Sequence, residues 1–141
     1  MIKVKHIDHV AIAVADAGAA ASSLGDLFGL AATAPEHVAD QKTDVIFLHT
    51  PQAGDSAVEL VCPSGNEGLQ RFLDRRGPGL HHVCFEVEDL AAALNTLKAA
   101  GIALVDETPR LGARGHLVAF LHPRATGGVL FELCQKGGDH S

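Results

Sequence analysis

The chain contains two copies of a histidine and two copies of a glutamate, and the same number of residues separates the two copies in each case. His82 follows His9 at the same distance along the sequence as Glu132 follows Glu59. Imidazole nitrogens and carboxylate oxygens together suit divalent metal ions of intermediate hardness, such as Co, Ni, Mn, Fe or Zn. Four protein ligands would leave room in an octahedral shell for a substrate that binds through two atoms. These four residues are therefore the candidate ligands of one metal site.

Three other histidines compete for the same role. His81 precedes His82 directly, so in a strand it should point to the opposite face. His49 and His122 have the same separation as the candidate ligands, but they lie at predicted strand ends near turns. A lone strand histidine is usually a core or edge residue, whereas an unpaired carboxylate is costly to bury. The duplication of both residue types favours the metal site, and we expect His49 and His122 to support the site or the structure.

The constant separation extends beyond the candidate ligands. Asp89 follows Asp16 at this distance, and the segment 120–122 repeats the sequence Phe-Leu-His of 47–49. Such self-similarity indicates two copies of one module. We place module 1 at about 5–63, a linking helix at about 65–77 and module 2 at about 79–136, all in one domain that spans 1–141.

Each module predicts the element order β-α-β-β-β. An alternating apolar strand is followed by a helix with Asp16 or Asp89 at its N-cap and Gly29 or Gly101 near its end. The first strand is expected at 6–14 or 80–87, a weak second strand at 30–34 or 102–106, a third at 44–50 or 116–123, and the last at 57–62 or 129–135. The predicted fold class is α+β, with two tandem βαβββ modules forming a curved mixed sheet around a central metal cleft.

Alternation along the last strand of each module predicts where the carboxylates point. Val58 and Leu60 flank Glu59, and Phe131 and Leu133 flank Glu132. If the apolar neighbours face the helix-packed core, both glutamates face the other side of the sheet. We expect the two candidate histidines on that concave side as well.

Composition excludes several functional classes. The net charge of −6 argues against nucleic acid as the main partner, and no apolar run is long enough to predict a membrane span. Three cysteines without CxxC spacing argue against a disulfide framework or a structural zinc site and fit a reduced, cytoplasmic protein. The absence of Tyr excludes phenol chemistry. The tail 136–141 is expected to be disordered.

Five segments together resemble the vicinal oxygen chelate superfamily and, more narrowly, the methylmalonyl-CoA epimerase family. They are "IDHVAIAV", "VELVCP", "GPGLHHVCFEVEDLAAALNTLKAAGI", "DETPRLGARGHLVAFLHP" and "TGGVLFELCQ". The resemblance implies a divalent metal cofactor, cobalt foremost, held by His9, Glu59, His82 and Glu132. It also implies epimerisation of methylmalonyl-CoA at C2 through an enolate, ethylmalonyl-CoA as a second candidate substrate, and a homodimer.

The resemblance carries expectations about proton transfer and coenzyme A binding. Epimerisation needs bases on opposite faces of C2, and we assign Glu132 to one face and Glu59 to the other. Some family members have a glutamate, proposed as a base, where this chain has Val45. Arg114 and Arg124 flank the predicted third strand of module 2, at 116–123, and are the expected partners of coenzyme A phosphates.

The sequence is also compatible with other activities of the same superfamily. A glyoxalase-type isomerase acting on a glutathione thiohemiacetal would use the same fold and metal. An extradiol dioxygenase needs iron and one carboxylate ligand, and such enzymes usually carry further His or Tyr near the substrate. A metal-free binding module of the drug-sequestering type would lack the ligand set that this chain retains.

Overall fold

The computed structural model describes residues 1–137, and residues 138–141 of the tail expected to be disordered lie outside the described residues. The chain divides into two compact units. The central unit is His9–His81, and the terminal unit combines Met1–Asp8 with the chain from His82 onward. The sequence-based assignment of one domain stays a prediction.

The central unit contains most of module 1 and the linking helix. Its elements are β1 (His6–Ala13, of which 9–13 belong to this unit), α1 (Ala17–Phe28), β2 (Ala31–Ala32), β3 (Glu36–Val38), β4 (Thr43–His49), β5 (Ala57–Pro63) and α2 (Glu67–Arg76). Strands lie in the order β2-β4-β5-β1, and β3 pairs with β4. The β1–β5 pair is parallel and the others are antiparallel.

The terminal unit repeats this plan. Its elements are β6 (Gly79–Glu86, of which 82–86 belong to this unit), α3 (Leu90–Ala99), β7 (Arg110–Leu111), β8 (Leu117–Phe120) and β9 (Phe131–Gln135). The strand order is β6-β9-β8-β7, again with one parallel pair, β6–β9. The predicted α+β class with two βαβββ modules is confirmed.

Equivalent aspartates start the two module helices. Asp16 Oδ1 accepts a hydrogen bond from the Ala19 amide, and Asp89 Oδ1 accepts one from the Ala92 amide, each at 3.0 Å. Each bond satisfies one of the first amides of a helix, which have no partner within it. Gly29 caps α1 in the left-handed conformation at φ 67°, which a residue without Cβ adopts without strain. Both predicted N-caps and the Gly29 C-cap are confirmed, whereas the C-cap of α3 is Ala100, directly before the predicted Gly101.

Each module helix covers one face of its own strands. In the central unit, α1 packs on apolar side chains of β4 and β5, which include Ile46, Leu48 and Leu60. In the terminal unit, α3 packs on Ala119 and Leu133 of β8 and β9. The opposite face of the strands, called the site face below, is therefore free to carry other chemistry in each unit.

The structure differs from the sequence prediction at the shortest strands. The predicted second strands shrink to Ala31–Ala32 in one unit and to a single bridge between Leu104 and Leu121 in the other. β3 and β7 were not predicted, because such short strands cannot show an alternating pattern. Within residues 1–137, no helix is long and apolar enough to cross a bilayer.

Candidate metal centre

In the central unit, neighbouring parallel strands bring His9 and Glu59 together. Their Nε2 and Oε1 atoms are 3.1 Å apart, and the side chains are only 5% and 6% exposed. Val58 and Leu60 pack toward α1, so Glu59 points to the site face as alternation predicted. The pair is a buried group of the donor types that a divalent ion binds.

The terminal unit contains the same arrangement. His82 Nε2 and Glu132 Oε1 are also 3.1 Å apart, and both side chains are 5% exposed. Leu133, next to Glu132, packs with α3, which leaves the carboxylate on the site face. The structure thus joins the four predicted ligands as two equivalent pairs, one in each unit.

A phenyl ring lies edge-on to the histidine of each pair. The rings of Phe47 and His9 have centroids 5.6 Å apart at an interplanar angle of 83°. Phe120 and His82 repeat this contact at 5.2 Å and 86°. Edge-to-face contact is a favoured geometry for two rings, so each phenyl ring packs favourably against the imidazole of its pair. Sequence analysis assigned no role to these rings, although both lie in the repeated Phe-Leu-His segment.

Alternation along the strands arranges the site face of each unit in three layers. A layer consists of the same-face positions reached by one two-residue step along each of three strands, starting from the His/Glu pair and its phenyl ring. In the terminal unit the first layer is His82, Phe120 and Glu132, and the second is the buried cluster of Cys84, Val118 and Cys134. The third is Glu86, His116 and Lys136, of which His116 and Lys136 lie just beyond the ends of β8 and β9.

The central unit has the same first layer but different second and third layers. By the same steps its layers are His9, Phe47 and Glu59, then Ala11, Val45 and Val61, then Ala13, Thr43 and Pro63, although the β1–β5 register sets Ala11 opposite Glu59 and Ala13 opposite Val61. The second layer is apolar and buried in this unit, whereas it carries two thiols in the other. The repeat therefore conserves the candidate ligands and diverges beyond them.

Two buried carboxylates lie among cations in the terminal unit. Asp8, 4% exposed, receives a 2.8 Å hydrogen bond from Arg114 Nη2, and its other oxygen lies 3.5 Å from Lys136 Nζ. Glu86, 6% exposed, pairs with His6 at 2.7 Å and with Lys5 at 3.3 Å. These bonds offset the cost of burying two charges. Sequence analysis did not single out either carboxylate.

The surroundings of Glu86 and His116 change their pKa values. Burial works to raise the pKa of Glu86, but hydrogen bonds from His6 and Lys5 outweigh it, and the pKa is lowered. Burial lowers the pKa of His116, and the positive charges of Arg114 and Lys136 act in the same direction. The carboxylate form of Glu86 and the neutral form of His116 are therefore favoured in the fold.

The three competing histidines have other contacts. His81 packs edge-on against Phe72 of α2 at 5.0 Å. His122 Nδ1 accepts a 3.0 Å hydrogen bond from the Arg124 amide and caps a short turn. His49 stacks on Phe47 with centroids 6.4 Å apart.

The other residues named from the sequence lie outside the two His/Glu pairs. Val45 is 1% exposed on the site face. Asp44 points the other way, where its Oδ1 lies 2.7 Å from His37 Nδ1 and its side chain is 48% exposed. Arg124 is exposed, and Arg114 is held by Asp8 at 2.8 Å.

Comparisons with known proteins agree on the family. A family model described as the Glyoxalase/Bleomycin resistance protein/Dioxygenase superfamily matches residues 8–120. The ethylmalonyl-CoA/methylmalonyl-CoA epimerase of Cereibacter sphaeroides is 39% identical over 132 residues, which cover 92% of this chain and 96% of that protein. The crystal structure of methylmalonyl-CoA epimerase from Mycobacterium tuberculosis is 34% identical with a TM-score of 0.90, covering 97% of this chain and 91% of that one.

A further solved structure is methylmalonyl-CoA epimerase in complex with methylmalonyl-CoA and NH4+. It is 27% identical, with a TM-score of 0.88, and covers 96% of this chain and 97% of that one. The chain belongs to the Glyoxalase/Bleomycin resistance protein/Dioxygenase superfamily. Within it, the chain is an enzyme of the methylmalonyl-CoA epimerase family, as the sequence resemblance predicted.

Proposed function

We propose that the protein is a metal-dependent epimerase that inverts C2 of methylmalonyl-CoA through an enolate. The observation that carries the proposal is the pair of buried His/Glu groups with identical 3.1 Å geometry. The family named above supports the reaction, and one of its relatives is named for both ethylmalonyl-CoA and methylmalonyl-CoA. We extend the proposal to ethylmalonyl-CoA as a second substrate.

The chemistry of the donors fits a single divalent ion. His9, Glu59, His82 and Glu132 would hold it, and two imidazoles with two carboxylates suit Co, Ni, Mn, Fe or Zn. The family resemblance places cobalt first among these ions. Burying two carboxylates without a cation is costly, which favours an ion in their company. When bound, the ion would supply the positive charge that stabilises negative charge developing on the thioester oxygen.

The two glutamates are the proposed proton carriers. Glu132 removes or returns the C2 proton on one face of the substrate, and Glu59 acts on the other face. Val45 has no ionisable group, so the base that some relatives carry at this position has to be replaced by another residue here. A carboxylate that coordinates a metal ion is a weaker base than one that does not. Glu132→Gln is therefore the informative variant, because it tests whether this carboxylate transfers the proton.

Two arginines are the proposed binding partners of the coenzyme A part of the substrate. Arg124 is exposed and Arg114 is about one-quarter exposed, its side chain being 27% accessible. We propose that these arginines meet the phosphates of coenzyme A, because guanidinium groups bind phosphate through paired hydrogen bonds. We also propose a cytoplasmic homodimer.

Isotope exchange provides the decisive experiment. Protein loaded with cobalt is mixed with methylmalonyl-CoA in D2O, and loss of the C2 proton signal is followed by NMR. An EDTA-stripped sample gives the background. Metal-dependent exchange without new products is the expected result. Exchange no faster than background, with metal bound, would reject the epimerase.

Two further arms make the result specific. A glutathione thiohemiacetal tests the glyoxalase-type alternative, and its turnover in place of methylmalonyl-CoA exchange would replace the proposal. His82→Ala should lose both metal and exchange. His37→Ala is the matched control, because the His37 side chain is exposed and pairs with Asp44 on the face away from the site.

A further inference from the structure

The two thiols of the second layer and the nearby Asp8 bring together three buried side chains with metal-binding atoms in the terminal unit. Cys84 is 0%, Cys134 1% and Asp8 4% exposed. The two sulfur atoms and one Asp8 oxygen all lie within 4.8 Å of one another. The cysteines come from the paired strands β6 and β9 and the aspartate from β1, so three separate strands fix the group.

The upper limit on these distances is a little larger than the spacing of ligands around a bound ion. Zinc–sulfur and zinc–oxygen bonds are about 2.0–2.3 Å, so two ligands of one tetrahedral ion are about 3.5–4 Å apart. From the 4.8 Å limit, a pair in the group would have to approach by at most about 1.3 Å.

The surrounding charges also match an occupied site. Two thiolates and one carboxylate carry three negative charges, so a divalent ion would leave one negative charge in a buried place. Arg114 and Lys136 already contact the two oxygens of Asp8, at 2.8 Å and 3.5 Å. Such outer contacts orient a ligand carboxylate and balance its charge.

We propose that Cys84, Cys134 and Asp8 form a second metal site, which binds a thiophilic divalent ion of the zinc class. The site is distinct from the two His/Glu pairs, because it uses none of their residues. Thiolate ligands favour soft and borderline ions such as zinc and disfavour hard ions such as Mg, Ca and Mn, which prefer oxygen ligands. Binding releases the two thiol protons to solvent.

Cadmium titration tests the site directly. Thiolate-to-cadmium charge transfer gives an ultraviolet band that histidine and carboxylate ligands do not produce. EDTA-stripped, reduced protein should show this band with one equivalent of cadmium bound through sulfur, and excess zinc should reverse it. Absence of the band at saturating cadmium would overturn the proposal.

Cysteine variants test which residues produce the ultraviolet band. A double variant, Cys84→Ser with Cys134→Ser, should lose it completely. Each single variant removes a direct ligand and should weaken cadmium binding by at least the roughly 10–100-fold that loss of an outer contact costs. Cys62→Ser is the matched control, because Cys62 is a thiol whose Sγ donates to the Ala15 carbonyl. A band lost in Cys62→Ser, or kept in the double variant, would reject the site.

A variant of the first layer separates this proposal from the proposed function. His9→Ala with His82→Ala should abolish exchange and leave the cadmium band intact. If the serine variants disturb folding, Asp8→Asn gives an independent reading with both thiols present. It should weaken cadmium binding while the far-ultraviolet circular dichroism stays unchanged, and unaltered affinity would remove Asp8 from the site.

Discussion

His82 Nε2 lies 3.1 Å from Glu132 Oε1, with both side chains buried on one face of the terminal unit. The same contact recurs in the central unit between His9 and Glu59, at the same distance. Burying a carboxylate costs free energy unless hydrogen bonds or a cation compensate it, and this cost arises once in each unit. A divalent ion at the proposed metal site would supply the compensating charge for both carboxylates.

Replacing Glu132 by Gln separates ion binding from proton transfer. The amide oxygen can still coordinate an ion, but the group can no longer carry a proton. We expect the variant to bind cobalt at saturating concentration and to lose about 100-fold or more in exchange rate. Metal analysis and NMR exchange measure the two properties. Full turnover with metal bound would remove Glu132 from the role of base, and the exposed Glu107→Gln is the control.

The edge-on phenyl ring of Phe47 should contribute to stability. Phe47 is 2% exposed and lies against His9. Phe47→Leu keeps most of the apolar volume but loses the ring contact, so we expect a loss of about 1–2 kcal/mol in the free energy of unfolding. Urea titration measures it. Phe28→Leu, at a residue 63% exposed, should change little, and an equal effect of the two variants would contradict the interpretation.

The N-caps of α1 and α3 can be tested by removing the aspartate oxygen that accepts the hydrogen bond. Asp16→Ala and Asp89→Ala should each cost about 1 kcal/mol, because an amide at the helix start loses its partner. Asp16→Ser retains a capping oxygen and should recover most of the loss. Thermal unfolding monitored by circular dichroism compares the three variants. Equal losses for Ala and Ser at position 16 would mean that the carboxylate acts by some other contact.

Glu86 should make the stability of the apoprotein depend on acid pH. Its pKa is lowered in the fold, so its contribution is present above the unfolded-state value of about 4.3 and disappears as pH falls through the folded value. Glu86→Gln should therefore be less stable than wild type at pH 7, with a difference that shrinks toward pH 3. Glu88→Gln is the control, since Glu88 shares Lys5 but is 88% exposed. A difference that is constant with pH would exclude this role of Glu86.

Gly112 is expected to resist substitution for steric reasons. A Cβ at this position would lie 2.8 Å from Val118 Cγ1 and 2.9 Å from its Cγ2, in the buried second layer. We expect Gly112→Ala to cost about 1–3 kcal/mol through overpacking. Gly79→Ala is the matched control, because a Cβ there would meet none of the described atoms within 4 Å. Similar unfolding midpoints for the two variants would show that Val118 moves aside at no cost.

The sequence predicted the parts of the structure that local patterns and the repeat determine. Asp16 and Asp89 mark helix starts through nearest-neighbour chemistry, and alternation placed Glu59 and Glu132 on the face away from the helices. The group of Cys84 and Cys134 could not be predicted, because the repeat that marked the metal ligands has Ala11 and Val61 at the equivalent positions. The buried position of Asp8 could not be predicted either, because it depends on Arg114, which lies 106 residues away in the chain.

The divergence of the second layers gives the two copies of the module different chemistry beside the same ligand pair. Next to His82 and Glu132 on the site face lie the buried thiols of Cys84 and Cys134, whereas Ala11 and Val61 occupy the equivalent positions beside His9 and Glu59. Thiols can be oxidised or bind soft ions, and aliphatic side chains do neither. An oxidant or a thiophilic ion that reached this layer would therefore change the surroundings of one His/Glu pair and leave those of the other unaltered.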